Sequence, residues 1–333
     1  MTLASTHAAP TAVSAAGANA LTLVSGELDR VEKRIAELTD SEEQILTDVS
    51  RELISAGGKR IRPALALLVF GAAGGVDPTD TIDIGASIEL IHTATLLHDD
   101  ILDSGKVRRG RPSPLARHGI SATLVSGDFL FSKAFSVAGR FDAKIVGWAA
   151  EACVQLCEGE MLQDRYRRNP AADLDTYLQL ATRKTASLFR QAARIGAHFA
   201  GLPESSVERL ASFGEDIGLG FQMVDDLLDV LGPESVIGKP VGSDLREGSP
   251  ALPLVLALNR LPAVRTAFLS PAPTERELED ALAELRSSTI LEEVRALAAE
   301  RIRSALDALD LLPESAYRAA LERVTLDLLD RTN

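Results

Sequence analysis

Apolar residues recur at helical spacing from about Leu21 onward. Leu23, Leu28, Val31, Ile35 and Leu38 fall near one face with charges between them, which predicts a first helix. A second helix over 41–55 is expected to stop at Ala56-Gly57-Gly58. Arg62-Pro63 opens a third, because proline suits a first helical turn, and the run LALLVFGAA carries it to Gly74-Gly75. A fourth starts near Thr79 and continues into the stretch LLHDDILD, residues 96–103. Gly105, Gly110, Pro112 and Pro114 then predict a loop. Helices resume over 120–138, 144–167, 173–200, 205–231, 250–261 and 274–285, with two more before the C-terminus. No alternating strand pattern of useful length competes with them, and no strong linker divides the array. The expected class is all-α: one helical domain over 21–333, preceded by a flexible tail over 1–20.

Composition agrees. Hydrophobic residues make up 46% of the 333 and aromatics only 4%, a balance that suits helix-on-helix packing better than a sheet rich in Val, Ile and Tyr. The net charge of −13 argues against nucleic acid as a partner, since phosphate-backbone binding rests on a broad positive surface. Cys153 and Cys157 lie one helical turn apart, too constrained to favour a bridge, and no other cysteine builds a disulfide or zinc framework. Both are expected to be core thiols in a reducing cytoplasm. The first twenty residues contain no Lys or Arg and no apolar stretch suited to a signal peptide, and no apolar run of about 18 residues predicts a membrane span. Contact with a membrane surface stays open.

The end of the fourth helix is where charge intrudes on the apolar pattern. LLHDDILD places Asp99, Asp100 and Asp103 within five residues, and QMVDDLLDV, residues 222–230, repeats the spacing with Asp225, Asp226 and Asp229. The surrounding sequence does not repeat, so the echo points to two equivalent helix ends facing one cavity. Residues four apart share a helix face, so Asp99 with Asp103, and Asp225 with Asp229, form oxygen-bearing pairs. Either motif alone is compatible with a solvated helix end. Two copies inside apolar helices weigh against that reading, because solvation is least available there to an idle anion. Oxygen-only ligands favour Mg²⁺, which keeps waters and links one or two carboxylates to substrate phosphate. The loop glycine and ligand layout of a calcium hand are missing.

Basic residues nearby supply the complement. GGKRIRP, residues 57–63, brings Lys59 and Arg62 to a helix start, a natural anion site. Arg108, Arg109 and Arg111 follow the first acidic motif in one loop, and Arg grips phosphate oxygens bidentately. Lys184 and Lys239 add two more cations. His92 lies seven residues before Asp99, about 10 Å along the same face; a core histidine and a diphosphate contact are both open to it.

These segments, in order, resemble the trans-type polyprenyl diphosphate synthases: GGKRIRP, LLHDDILD followed by VRRGRP, EGEMLQD, RKTASLF, FQMVDDLLDV and GKPVGSDLREG. The resemblance runs from about residue 57 to 256. It implies an isoprenoid synthase-type helical bundle around a central cavity, normally a homodimer, that joins isopentenyl diphosphate to an allylic diphosphate. Within the six aspartates, it implies that Asp99, Asp103 and Asp225 hold three Mg²⁺ ions against the allylic diphosphate, with Asp100, Asp226 and Asp229 supporting the cluster. Arg108, Lys184 and Lys239 would grip that diphosphate. Lys59, Arg62, His92 and Arg109 would bind isopentenyl diphosphate. Thr185 and Gln222 would face the carbon that becomes positive, and Gln163 would line the site near the metals.

A growing tail must run somewhere apolar, and the direct route is down the helix that carries Asp99. Ala94 and Thr95, five and four residues before it, are small, whereas short-chain members of the family carry an aromatic floor there. That leaves the route open as far as Ile91 and Ile88. The expected product is medium or long, roughly six to ten isoprene units by this cavity-filling argument, with geranylgeranyl diphosphate as the alternative. A class I terpene cyclase would not need the second acidic motif or the second basic set. A non-catalytic synthase subunit would lose ligands that are present here. A structural or metal-storage protein would have no use for the Lys184-Thr185 and Phe221-Gln222 pairs.

Overall fold

The computed structural model describes residues 20–108, 111–232 and 241–330. All but Ala20 of the expected tail lies outside them. After a 3₁₀ turn over Thr22–Val24 come α1 (Ser25–Leu38), α2 (Gln44–Ser55), α3 (Ile61–Ala72) and α4 (Thr79–Leu102). A two-residue antiparallel pair, β1 (Val107–Arg108) and β2 (Arg111–Pro112), interrupts the helices. Then follow α5 (Pro114–Ala138), α6 (Ala143–Tyr166), α7 (Leu174–Ala181), a π-helical segment over Thr182–Ala186, and α8 (Ser187–Phe199). The rest comprises α9 (Glu204–Leu231), α10 (Ser243–Glu247), α11 (Leu252–Ala257), α12 (Pro262–Leu269), α13 (Glu275–Arg286), α14 (Ile290–Ala308) and α15 (Ala316–Asp330). Among the described residues the all-α expectation holds, and the small strand pair lies in the expected loop.

Helix boundaries depart from the periodicity where capping decides them. α5 begins six residues before the expected 120, because the Ser113 hydroxyl accepts from Ala116 N and Pro114 occupies the first turn. Gly119, at φ 78°, puts a kink near the expected start. The expected helix over 250–261 ends early, and Pro262 starts α12 instead. At α13 a capping box joins Thr274 and Glu277 reciprocally.

The apolar faces converge on two cores. The larger gathers α1 to α6, α8, the first half of α9, the end of α14 and α15; the smaller is built on α7, α11 to α13 and the start of α14. α9 runs through both: Val207, Leu210, Phe213 and Ile217 pack into the first, and Leu219, Met223, Val224, Leu227 and Val230 into the second. α4 packs against α1, α3, α5 and α8. Residues all around its circumference are therefore buried, which accounts for the long apolar run before its aspartates. Arg60 ties the third helix start into this frame. Its guanidinium, 7% exposed, donates to Glu32 on α1 and Glu89 on α4 at 2.5 and 2.9 Å. In GGKRIRP, then, the Arg60 side chain is spent on structure.

Cys153 packs against the larger core, and burial pushes its thiol up to about 12. Cys157 is exposed, which corrects the expectation that both are core thiols: the outer face of α6 passes through position 157.

Candidate active site

The first acidic motif occupies the last turn of α4. Asp99 is half-buried, Asp100 is buried at 2% exposure, and Asp103 is the exposed C-terminal cap. A cation from a neighbouring element meets each outward carboxylate. Lys184 Nζ stands 3.9 Å from Asp99 Oδ1, and Arg167, just beyond α6, donates to Asp103 Oδ1 at 2.9 Å.

Lys184 and Thr185 sit in the π-helical segment between α7 and α8, where the wider turn re-aims side chains that a regular α-helix would place elsewhere. Two glycines let neighbouring helices press against it. A Cβ on Gly159 of α6 would lie 2.9 Å from Lys184 N, and one on Gly218 of α9 would lie 2.5 Å from Ala186 Cα. Lys184 Nζ reaches Glu160 Oε2 at 2.5 Å and donates to Gln163 Oε1 at 3.1 Å. Burial alone would lower the pKa of this ammonium; Asp99, Glu160 and Asp103 outweigh it, and the net shift is upward. The Thr185 hydroxyl donates to Gln222 Oε1 at 2.6 Å, and Gln222 Nε2 donates to Asp226 Oδ1 at 2.8 Å. The remaining Asp226 oxygen accepts from Leu252 N at 3.0 Å.

The second acidic motif therefore divides. Asp225 is half-buried. Asp226 and Asp229 are 4% and 1% exposed. Asp226 uses both oxygens inside the protein, and Asp229 Oδ2 accepts from Asp244 N at 3.1 Å, at the start of α10. Burial, then the nearby Asp244, raises the Asp226 pKa to about 7. Both Asp226 oxygens are thus engaged by donors within the protein.

At the start of α3, Lys59 and Arg62 are half-buried, as is His92 on α4. Arg62 lies 4.7 Å from the centroid of the Phe189 ring; burial lowers its pKa, while Glu89 and Asp225 act to raise it. The site residues thus come together from α3, α4, α6, the π segment and α9. Arg109, Lys239 and the Arg108 side chain lie outside the described residues. Sequence reasoning missed Glu160 and Arg167, the direct partners of Lys184 and Asp103. EGEMLQD contains Glu160, but its partner is fixed only by the fold.

Below this layer a narrow cavity opens between α4, α5, α6 and α8, lined among others by Ile84, Ser87, Ile88 and Ile91 of α4. These positions continue upward through Thr95 to Asp99 on one helix face. Ile91 and Ile88, at 2% and 3% exposure, form part of its wall. Ala94 is fully buried, and Thr95 turns its hydroxyl back to His92 O at 2.8 Å.

The donor set fits a hard divalent cation. It is oxygen-only, and its outward carboxylates, Asp99, Asp103 and Asp225, sit on two helices. Among the described residues no three His, Cys, Asp or Glu side chains converge to hold an ion alone. That is the arrangement expected when one or two carboxylates share Mg²⁺ with a substrate phosphate.

Comparison with known proteins identifies the family. The family model described as polyprenyl synthetase matches residues 43–285. The chain is 36% identical to a short chain isoprenyl diphosphate synthase from Methanothermobacter thermautotrophicus, over 91% of this chain and 94% of that protein. It is 35% identical to an all-trans-nonaprenyl-diphosphate synthase from Rhodobacter capsulatus, over 92% and 96%. The fold is similar to a crystal structure of a polyprenyl synthase from Caulobacter crescentus complexed with calcium and isoprenyl diphosphate. The TM-score is 0.89 at 32% identity, covering 98% of this chain and 99% of that one.

Proposed function

The chain belongs to the polyprenyl synthetase family, and from that premise we propose that it adds isopentenyl diphosphate repeatedly to an allylic diphosphate, making a medium- or long-chain all-trans polyprenyl diphosphate. One observation carries the reading. Lys184, Thr185 and Gln222 are brought together between the two aspartate-bearing helix ends, directly above an apolar cavity on the Asp99 face of α4.

Asp99, Asp103 and Asp225 would hold magnesium, with Asp100, Asp226 and Asp229 behind them, and the three expected ions would supply the positive charge that lets the allylic diphosphate depart. Lys184, kept protonated by its carboxylate neighbours, donates to the departing oxygens, together with Arg108 and Lys239. Lys59, Arg62, His92 and Arg109 seat isopentenyl diphosphate so that its double bond lies beside the allylic carbon. Gln222 Oε1 accepts one hydrogen bond from Thr185 and keeps a second lone pair to face positive charge, as does the Thr185 oxygen. Gln163 holds Lys184 in place. Among the described residues no side-chain base stands out by the reacting carbon, so the released diphosphate takes the proton.

The small size of the cavity that Ile91 and Ile88 help to line favours a second reading, a shorter geranylgeranyl product. We take 21–333 as the catalytic domain, acting in the cytoplasm. Among the described residues no helix is long and apolar enough to cross a membrane. A homodimer is supported by the apolar surface of α5 and α6, where Ile120, Val125, Val154 and Met161 are all more than half exposed; light scattering giving a monomer would count against it. The deciding experiment is incubation with labelled isopentenyl diphosphate, Mg²⁺ and allylic primers of several lengths. Extension of a primer is expected, and its absence with every primer would sink the synthase reading.

A further inference from the structure

Lys59 and Arg62, two of the residues assigned to isopentenyl diphosphate, flank a backbone irregularity. Arg60, between them, caps α3 at φ 47° and ψ 40°, a left-handed conformation that residues other than glycine adopt at a cost. What the Arg60 guanidinium touches holds it there. Nη1 donates to Glu89 Oε1 at 2.9 Å, Nε and Nη2 donate to the two oxygens of Glu32 at 2.5 and 3.3 Å, and Nη2 also reaches Ile54 O at 3.2 Å. The two carboxylates are unequal. Glu32 is half-buried, whereas Glu89 is 4% exposed, and a charge-assisted hydrogen bond constrains its partners more tightly away from water.

Glu89 has two links to the same site. Along α4 it stands three residues before His92, so the two share a helix face one turn apart. Across to α3 it bonds Arg60, and its charge reaches Arg62 as well. Burial works against the Arg62 charge, and Glu89 opposes that burial more strongly than Asp225 does. Arg62 Nε is itself buried with no acceptor, while the guanidinium lies 4.7 Å from the Phe189 ring centroid. The place of Arg62 is therefore set by packing and by the backbone that leads into it from residue 60.

Resting on the synthase reading, we propose that Glu89 is a positioning residue for isopentenyl diphosphate: by holding Arg60 in its left-handed turn, it fixes Lys59 and Arg62 of α3 relative to His92 of α4. Glu89 acts through Arg60 and touches no substrate itself. The allylic diphosphate is gripped from other elements, with Lys184 in the π-helical segment between α7 and α8. Loosening Arg60 thus changes the seating of one substrate and leaves that of the other.

The test compares the two substrates. Glu89→Gln keeps side-chain length and removes the charge that holds Arg60. With labelled isopentenyl diphosphate, Mg²⁺ and an allylic primer, KM for isopentenyl diphosphate is expected to rise on the order of tenfold, the effect of weakening one charge-assisted hydrogen bond. KM for the primer and kcat should stay within about twofold of the parent's. Equal rises in the two KM values, a loss in kcat alone, or an unchanged KM for isopentenyl diphosphate would overturn the proposal. If circular dichroism shows that Glu89→Gln is unfolded, the double variant Arg60→Met with Glu89→Leu removes the pair without stranding a buried charge and is judged by the same criteria. Arg62→Gln tells failure of the proposal from failure of the site. A raised KM for isopentenyl diphosphate there, with none in Glu89→Gln, sinks the positioning role alone; the parent's KM in Arg62→Gln sinks the assigned seating and the proposal with it. Any primer extension by the unsubstituted chain keeps the synthase reading standing in either case.

Discussion

Lys184 shows how one side chain gathers a site. Its ammonium lies among Asp99, Glu160 and Gln163, so removing it leaves two half-buried carboxylates facing each other. Because its pKa is raised in the folded state, the stabilisation is fully present below the unfolded lysine value and is lost only as pH rises through the folded one. The urea midpoint difference between the parent and Lys184→Met should therefore be constant between about pH 6 and pH 9; a difference that vanishes within that window would contradict the pairing. Turnover is expected to fall by about 100-fold or more in Lys184→Met, Asp99→Ala and Asp225→Ala alike, with helical content retained. A near-normal rate in any of the three would remove that residue from the mechanism. The thiols separate by environment. Cys153, its pKa pushed up to about 12, should resist alkylation at pH 8 until the protein unfolds, as peptide mass spectrometry would show. The aspartates, Lys184, Thr185 and Gln222 were legible in the sequence because spacing and flanking motifs mark them. Glu160, Arg167 and the structural use of Arg60 were not, since each depends on a partner tens of residues away.

At the scale of elements, the π segment over Thr182–Ala186 is what periodicity could not anticipate. The sequence predicts one helix over 173–200, and the extra residue in the turn leaves no apolar signature. Its conformation is enforced from outside by Gly159 and Gly218, whose missing side chains admit the Lys184 and Ala186 backbone. Gly218→Val should destabilise the fold by about 1–3 kcal/mol, as overpacking does. It should also lower kcat more than it raises KM, because the displaced backbone is that of Ala186, next to Thr185 in the segment that carries Lys184; a loss confined to KM would argue against this positioning. Boundaries departed from the periodicity at proline and capping positions: a serine cap and a proline set the start of α5, and the run expected over 250–261 stops short, with Pro262 opening the next helix.

For the whole molecule, hydrophobic periodicity was enough to specify an all-α array, because helix follows helix with short connections. It did not show that there are two cores, nor that α9 crosses from one to the other with Asp225 in its second half. The route below Asp99 belongs to this scale, since four helices wall it. Thr95→Phe should shorten the product while the first condensation persists; an unchanged ladder would place the tail elsewhere. Asp226 and Asp229 have a wider consequence. Their oxygens fasten the backbone at Leu252 and Asp244, so the turn that carries Asp225 also anchors the chain leading into the smaller core. In a saturation library sorted by soluble yield, Asp226 and Asp229 should thus tolerate fewer replacements than Asp225, although all three would look equally indispensable in a screen for product.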